Sequence, residues 1–444
     1  MKVYEEVKLK VREGSKTGRK EALCVDEWVE SFKDRYQKTW WNTPVSMPEL
    51  GEPMDKSMKR QKEKDADMWI NALYGKLEKF PSQVEKRAAW QEEAIRIARS
   101  AGAEILGIKS PRLSDIIFGD FARVTGAFIE EASSFNPGIR PVDIMQAMRN
   151  VWIMNCMQVL MGIEVEYTPS IFAYSMLYPV TDNYMDDAGI SPQSKWRISR
   201  NFRRKLSGEG KKPENEHEEQ IFRLVDRIEK QYPRREFPYV YDSLLCIHKA
   251  QERSLEQQGK DLSPYESNIL DISFEKGGTS VLADAFLVKG ILSKGDADFI
   301  FGFGAILQMI DDLQDAERDM NNGHMTIFSQ TAKRWKLDSI TNRLLNFLHH
   351  HMKSWMYYVN ISQHEMIRLI ESNCILLIME AIARNKKFFS QSYLKHIETY
   401  SPYSFAYLQN LENNLKKKYA KLEKRFRGIS VDSILAQAVT PVYQ

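Results

Sequence analysis

Two groups of carboxylates, far apart along the chain, have the spacing that a divalent-cation site needs. The first is Asp182-Asn183-Tyr184-Met185-Asp186-Asp187, and the second runs from Asp311 to Asp319. Side chains four residues apart stack on one face of a helix. This spacing joins Asp182 to Asp186, and in the second group it gives a ladder with Asp312 beside it: Asp311, Asp315 and Asp319. Carboxylate oxygens arranged in this way suit Mg²⁺, which takes a few carboxylates, water molecules and phosphate oxygens.

Both acidic groups come at the end of apolar segments. Like charges at four-residue spacing destabilise a helix, and at its C-terminus they also oppose the helix dipole. A sequence tolerates this conflict more readily where a cation compensates the charges. Either group alone is typical of a solvated helix end, but the two together predict a metal site.

The elements that must position these carboxylates are predicted to be helices, from residue 83 to residue 444. Apolar residues recur there at three- and four-residue spacing. Turn signals separate the segments, among them Ser191-Pro192, Gly277-Gly278 and Asn321-Asn322-Gly323. No run of strands could build a nucleotide-binding sheet. Many helices with short connections predict an all-α bundle.

Residues 1–82 are more polar, and we expect them to form an N-terminal extension. Val7, Leu9 and Val11 alternate with charged residues, as in a short strand. Trp40-Trp41 and the prolines that follow predict irregular chain. The extension is expected to pack on the body 83–444 with its aromatic side chains as anchors.

The bulk composition excludes several classes of protein. Lysine and arginine number 63 against 60 acidic residues, so a nucleic-acid partner is not expected. The four cysteines lie far apart without a CxxC pair, which argues against disulfides and zinc and favours a reducing compartment. The first residues lack the apolar core of a signal peptide, and the longest uncharged apolar stretch, 151–163, is too short to span a bilayer. We therefore expect a soluble, cytoplasmic protein without a transmembrane segment.

The second acidic group resembles a motif of the class I isoprenoid synthases, which include trans-prenyl diphosphate synthases and terpene cyclases. Leu307-Gln308-Met309-Ile310-Asp311-Asp312-Leu313-Gln314-Asp315 is similar to FQxxDDxxD. The same region fits the cyclase pattern (N/D)DxxSxxxE, with Asp319 in place of the final Glu. The segment from Asp182 to Asp186 is similar to DDxxD with Asn in the second place. The resemblance implies a class I terpenoid synthase helical bundle with a central active-site cavity.

This resemblance also implies a cofactor and a substrate. The cofactor would be Mg²⁺, three ions in the family's usual active site, and the substrate would be a prenyl diphosphate. The metal ligands that it implies are Asp182, Asp186, Asp187, Asp311, Asp312, Asp315 and Asp319.

A third segment, Glu275-Lys276-Gly277-Gly278-Thr279, resembles the Lys-Thr element that precedes the second motif in prenyl synthases. A lysine at a glycine-broken helix would offer a diphosphate both an ammonium and free backbone N–H groups. Predicted substrate-binding residues are Lys276, Gly277, Thr279, Gln308, Arg197, Arg200 and Tyr178, the last as an aromatic wall for a cation. Predicted catalytic residues are Asp182, Asp186, Asp311, Asp315 and Lys276.

A departure from the family pattern selects among its members. Elongating synthases carry a GGKR element before the first aspartate motif and an Arg-Arg pair after it. The closest match here, Gly107-Ile108-Lys109-Ser110-Pro111-Arg112, lacks the paired pattern, and no such pair follows Asp187. A terpene synthase acting on a C15–C25 prenyl diphosphate is therefore favoured. The alternatives are a prenyl diphosphate or head-to-head condensing synthase and a non-catalytic helical interaction protein, and a homodimer is left open.

Overall fold

The structure, a computed structural model, describes residues 24–187, 189–210, 212–258, 267–426 and residue 434. Within these residues it is all-helical and contains no β-strand, which confirms the predicted all-α class. The helices, in chain order, are α1 Val25–Asn42, α2 Lys56–Leu77, α3 Arg87–Ile105, α4 Pro111–Asp115, a π-helix Ile116–Phe121, α5 Ala122–Phe135, α6 Pro141–Leu160, α7 Pro169–Asp186, α8 Pro192–Leu206, α9 Glu216–Gln231, α10 Pro238–Ser254, α11 Ile269–Lys289, α12 Lys294–Gln314, α13 Ala316–Asn322, α14 Ile327–Ala332, α15 Asp338–Tyr358, α16 His364–Arg384, α17 Gln391–Ile397 and α18 Phe405–Arg425.

Helix α11 lies at the centre of the bundle. It contacts α12, α10, α6, α1 and α7. Its residues are buried on every side, as expected for a helix that is apolar all round. Among the described helices, none combines the length and apolar content that crossing a bilayer requires.

The predicted helix break at Gly277-Gly278 is wrong, because α11 continues through both glycines. These residues let α12 approach closely instead. A Cβ on Gly277 would overlap the carbonyl oxygen of Gly304, and a Cβ on Gly304 would overlap that of Gly277. Gly278 is likewise covered by the ring of Phe301. The small residues therefore serve helix packing, and the continuous helix leaves no free backbone N–H group at Gly277.

Replacement of Gly304 with alanine is expected to destabilise the fold by roughly 1–3 kcal/mol, because the new methyl group meets backbone that cannot turn aside. Gly75→Ala in α2 is the matched control, since nothing lies within 4 Å of its added Cβ. That change is expected to be neutral or to stabilise by up to about 1 kcal/mol. Urea unfolding followed by circular dichroism measures both, and equal midpoints for the two variants would contradict the packing role.

The N-terminal region contributes to the main core. Trp40 and Trp41 were predicted to lie in irregular chain, but they belong to the last turn of α1, so that prediction is wrong. Val7, Leu9 and Val11 lie outside the described residues. The main hydrophobic cluster includes apolar residues of α1 at helical spacing: Val25, Val29, Phe32, Tyr36 and Trp40. Periodicity of this kind outweighs the turn signals that follow it, because burial of the aromatic side chains stabilises the helix.

Candidate active site

Helix α12 presents two different faces over its last three turns. Phe303 and Leu307 line a cavity, and continuing the same four-residue steps leads to the exposed Asp311 and then to Asp315. This stripe therefore changes from apolar wall to carboxylate within one turn. The neighbouring stripe, Gly304, Gln308 and Asp312, faces α11 instead.

Asp312 is buried between α12 and α11, with 4% of its surface exposed. The Ser273 hydroxyl donates a 2.8 Å hydrogen bond to one carboxylate oxygen, and Gln308 Nε2 donates one of 2.8 Å to the other. Burial raises the pKa of the Asp312 carboxyl to about 6, although both hydrogen bonds oppose the rise. The prediction that Asp312 and Gln308 stand on the metal- and substrate-facing side is therefore corrected: they connect α12 to α11.

The carboxylate ladder continues past the end of α12. The helix ends at Gln314, but the Asp315 and Asp319 amides still donate to the carbonyls four residues earlier, at 2.9 and 2.8 Å. Burial, and then Asp312 and Asp315, raise the pKa of Asp319 to about 7. Burial and Asp311 also raise the pKa of Asp315, although Arg318 pairs with its carboxylate. The like charges of this ladder are thus close enough to oppose one another's ionisation.

Lys276 on α11 lies beside this ladder. Its ammonium is close enough to lower the pKa values of Asp312 and Asp315 and, after burial, that of His324. Thr279, predicted to bind substrate with it, is buried and donates a 2.6 Å hydrogen bond to the Glu275 carbonyl. The glycine-cradle interpretation is therefore wrong for Gly277 and Thr279, because the helix is unbroken, and only Lys276 of this segment faces the acidic group.

Tyr178 of α7 lies near an aspartate of each acidic group. Burial raises the pKa of this phenol, and the negative charges of Asp182 and Asp311 raise it further. A single side chain thus lies within the field of one aspartate from each group. Asp187 is exposed just beyond α7 and accepts a 2.7 Å hydrogen bond from the Gly189 amide, which closes the turn there. The side chain of Asp186 lies outside the described part of the chain.

Arg197 and Arg200 line a separate polar groove at the start of α8, together with Trp196, Arg204 and Glu214. Arg197 Nε lies 3.7 Å from the Glu214 carboxylate, and the Arg200 guanidinium stacks 5.3 Å from the centre of the Trp196 ring. This groove shares no lining residue with the apolar cavity or with the carboxylate groups. The structure therefore places the two predicted arginines in a groove of their own, outside the lining of the apolar cavity.

An apolar cavity of about 610 Å³ adjoins the acidic site. Its wall comes from α3, the π-helix, α5, α6, α12 and α16, and includes Phe118, Phe121, Trp152, Phe303, Leu307 and Leu369. Arg149 also lines it and lies close enough to Tyr178 to lower the pKa of that phenol. The cavity is thus linked to the acidic site through Arg149, and also through Leu307, which lines the cavity one turn before Asp311. Sequence reasoning missed Arg149 and Phe118, since no local motif distinguishes them.

The donor set of this site fits a hard divalent cation. Asp311, Asp315 and Asp319 would supply carboxylate oxygens. Burial, and then the neighbouring negative charges, raise the pKa values of Asp315 and Asp319, and a cation would offset those charges. Over the described residues, no three His, Cys, Asp or Glu side chains already converge as they would around a bound ion. Mg²⁺ completes its shell with water and phosphate oxygens, so few protein ligands suffice.

Comparison with known proteins adds no assignment. The chain matches no protein-family model, no curated protein and no solved structure.

Two carboxyls with large upward pKa shifts, Asp312 and Asp319, predict how stability depends on pH. Folding raises the pKa values of Asp312 and Asp319 above their usual 3.8, to about 6 and about 7. The folded chain therefore holds protons that the unfolded chain releases, and the free energy of unfolding must fall as pH rises from about 4 to about 7. At roughly 1.4 kcal/mol per pKa unit, the expected loss in metal-free buffer is several kcal/mol, about 7 kcal/mol at most.

Thermal unfolding at pH 4.5 and pH 8, with and without Mg²⁺, tests this dependence. Mg²⁺ is expected to raise the melting temperature at pH 8 and to have little effect at pH 4.5, since it binds the ionised carboxylates. Asp319→Asn is expected to flatten the metal-free profile. A metal-free stability that rises between pH 4.5 and pH 8 would contradict the assignment.

Proposed function

We propose that this protein is a Mg²⁺-dependent class I terpene synthase, which ionises a C15–C25 prenyl diphosphate and cyclises or deprotonates the resulting allylic cation. The observation that carries the proposal is the stripe on α12. Phe303 and Leu307 line the apolar cavity, and Asp311 is the next residue of the stripe. The negative charges of Asp311 and Asp182 both act on Tyr178 and raise its pKa. An amphiphilic substrate with an anionic head and an apolar tail matches this change from carboxylate to hydrocarbon.

Each part of the site has a role in such a reaction. The C–O bond to the diphosphate breaks, and its electron pair leaves with the phosphate oxygen. Bound Mg²⁺ would neutralise the charge that develops on this leaving group. Lys276, beside the acidic ladder, supplies a further positive charge from the protein. The apolar wall keeps water from the carbon cation, and the rings of Phe303, Trp152 and Phe118 offer it cation–π contacts.

The cavity supports this function over a purely structural one. Its volume lies within the range of small-molecule sites, and its few polar groups include Arg149 at the side nearest Tyr178. A condensing synthase needs a second diphosphate site beside the first. The arginine groove at α8 is the nearest candidate in composition, but it shares no lining residue with the cavity, so it does not favour that alternative.

Incubation with single substrates tests the proposal. Purified protein with Mg²⁺ is given geranyl, farnesyl, geranylgeranyl or geranylfarnesyl diphosphate, each with and without isopentenyl diphosphate. Hydrocarbon or alcohol together with free diphosphate, formed from one substrate alone, supports the terpene synthase. A lengthened diphosphate formed only with isopentenyl diphosphate would instead establish the condensing enzyme. No diphosphate release under any condition would leave the helical interaction protein.

A further inference from the structure

One wall of the apolar cavity is formed by a π-helix, Ile116–Phe121, between α4 and α5. A π-helix has a wider turn than an α-helix, and such turns frequently occur at functional sites. Here the turn directs Ile117, Phe118 and Phe121 to the cavity wall. The π-helical backbone therefore forms part of the cavity wall.

Phe118 packs on Gly102, the one glycine of α3. Ile95 and Ala98 of α3 line the cavity, as does Leu106, the residue after its end. Gly102 lies between Ala98 and Leu106 on the same helical face. Gly102 itself does not line the cavity, because the Phe118 ring covers it. A Cβ at this position would lie 2.5 Å from Phe118 Cε1 and closer still to Cζ. The ring thus fills the recess left by the missing side chain.

The geometry points to Gly102 and Phe118 as a pair that sets the size of the prenyl chain the cavity accepts, an inference that rests on the proposed function. A methyl group at position 102 must displace the tip of the Phe118 ring. The ring cannot move toward α3, because the backbone of that helix is in the way. The ring then moves into the cavity and reduces its volume. Loss of the ring has the opposite effect, because it opens the recess over Gly102.

The experiment compares Phe118→Ala, Gly102→Ala and the double variant with Gly119→Ala. Gly119 is the matched control, since it neighbours Phe118 but nothing lies within 4 Å of its added Cβ. Binding is measured first with farnesol, geranylgeraniol and geranylfarnesol, which carry no diphosphate, by displacement of anilinonaphthalene sulfonate. Release of diphosphate from the corresponding diphosphates is measured next. Phe118→Leu replaces Phe118→Ala if the latter does not fold.

Phe118→Ala is expected to shift the preference between neighbouring chain lengths about tenfold or more toward the longer chain, and Gly102→Ala toward the shorter. The double variant is expected to behave like Phe118→Ala, because Gly102 acts only through the ring it would push. Gly119→Ala is expected to retain the original preference.

The two readouts separate this inference from the proposed function. If the alcohols follow the expected shifts but no diphosphate is released by any form, the size-setting role stands and the enzymatic proposal fails. If the unaltered protein releases diphosphate but its length preference is the same in all variants, the inference is overturned and the enzymatic proposal stands. Additive effects of the two substitutions would also overturn it.

Discussion

Replacement of Asp311 with asparagine is expected to reduce diphosphate release by about a hundredfold to a thousandfold, the effect of losing one group that stabilises charge in a transition state. Asp311 is the exposed carboxylate at which the α12 stripe leaves the cavity wall, and it acts on Tyr178 together with Asp182. Asparagine keeps the size of the side chain but loses the charge that would hold a cation. Because Asp311 is exposed, the fold is expected to remain stable.

The control for this prediction is Asp34→Asn, the same change at an exposed aspartate of α1. Asp182→Ala, like Asp311→Ala, is expected to abolish release while leaving the helical circular dichroism spectrum intact. Release is followed with an enzyme-coupled diphosphate assay at saturating Mg²⁺, and melting temperatures are compared in parallel. Full activity in Asp311→Asn, or an equal loss in Asp34→Asn, would refute the role given to the acidic ladder.

The sequence predicted the helical class because long stretches of apolar residues at three- and four-residue spacing are hard to accommodate in anything but helices. It failed at Gly277-Gly278, where glycine was interpreted as a turn signal. Glycine disfavours a helix by about 1 kcal/mol, which is small against the packing of α11 on α12 through Gly304. Only the partner helix reveals why both helices have glycine at this crossing.

At the candidate site, spacing along the chain indicated which carboxylates share a helix but not which way each one faces. Asp311 and Asp312 are adjacent in sequence, yet one is exposed and the other is held by Ser273. That distinction depends on where α11 packs. The resemblance implied a cavity, but its lining could not be predicted from the sequence for a similar reason, because the wall is assembled from helices between α3 and α16 that have no common motif.

Lys33 shows the same limit most clearly, and its replacement gives the largest stability effect that we expect. In the sequence it is one lysine among many. In the fold its side chain is only 5% exposed, and its ammonium lies 3.3 Å from the Asp271 carboxylate and 3.4 Å from that of Glu275. Arg253 of α10 pairs with the same two carboxylates. Burial alone lowers the pKa of Lys33, but Glu30, Glu275 and Asp271 together outweigh it, so the pKa lies above its usual value.

Lys33→Met is expected to destabilise the protein by about 3–5 kcal/mol, since it leaves two largely buried carboxylates with a single cation. Lys249→Met is the matched control, because Lys249 is half-exposed and pairs with Asp26 at 2.9 Å. Its expected effect is at most about 1 kcal/mol. Urea unfolding monitored by tryptophan fluorescence gives both values if the slopes of the transitions agree.

A second substitution tests the origin of this effect. Adding Glu275→Gln to Lys33→Met removes one of the two buried negative charges that Lys33 neutralised. The double variant is therefore expected to be more stable than Lys33→Met alone. Equal losses in Lys33→Met and Lys249→Met would contradict the burial argument. Glu275 immediately precedes Lys276, so this buried ion pair joins α1 to the part of α11 that carries the lysine of the candidate site. A confirmed effect would therefore support the inference that the N-terminal helix helps to hold Lys276 in place for the proposed chemistry.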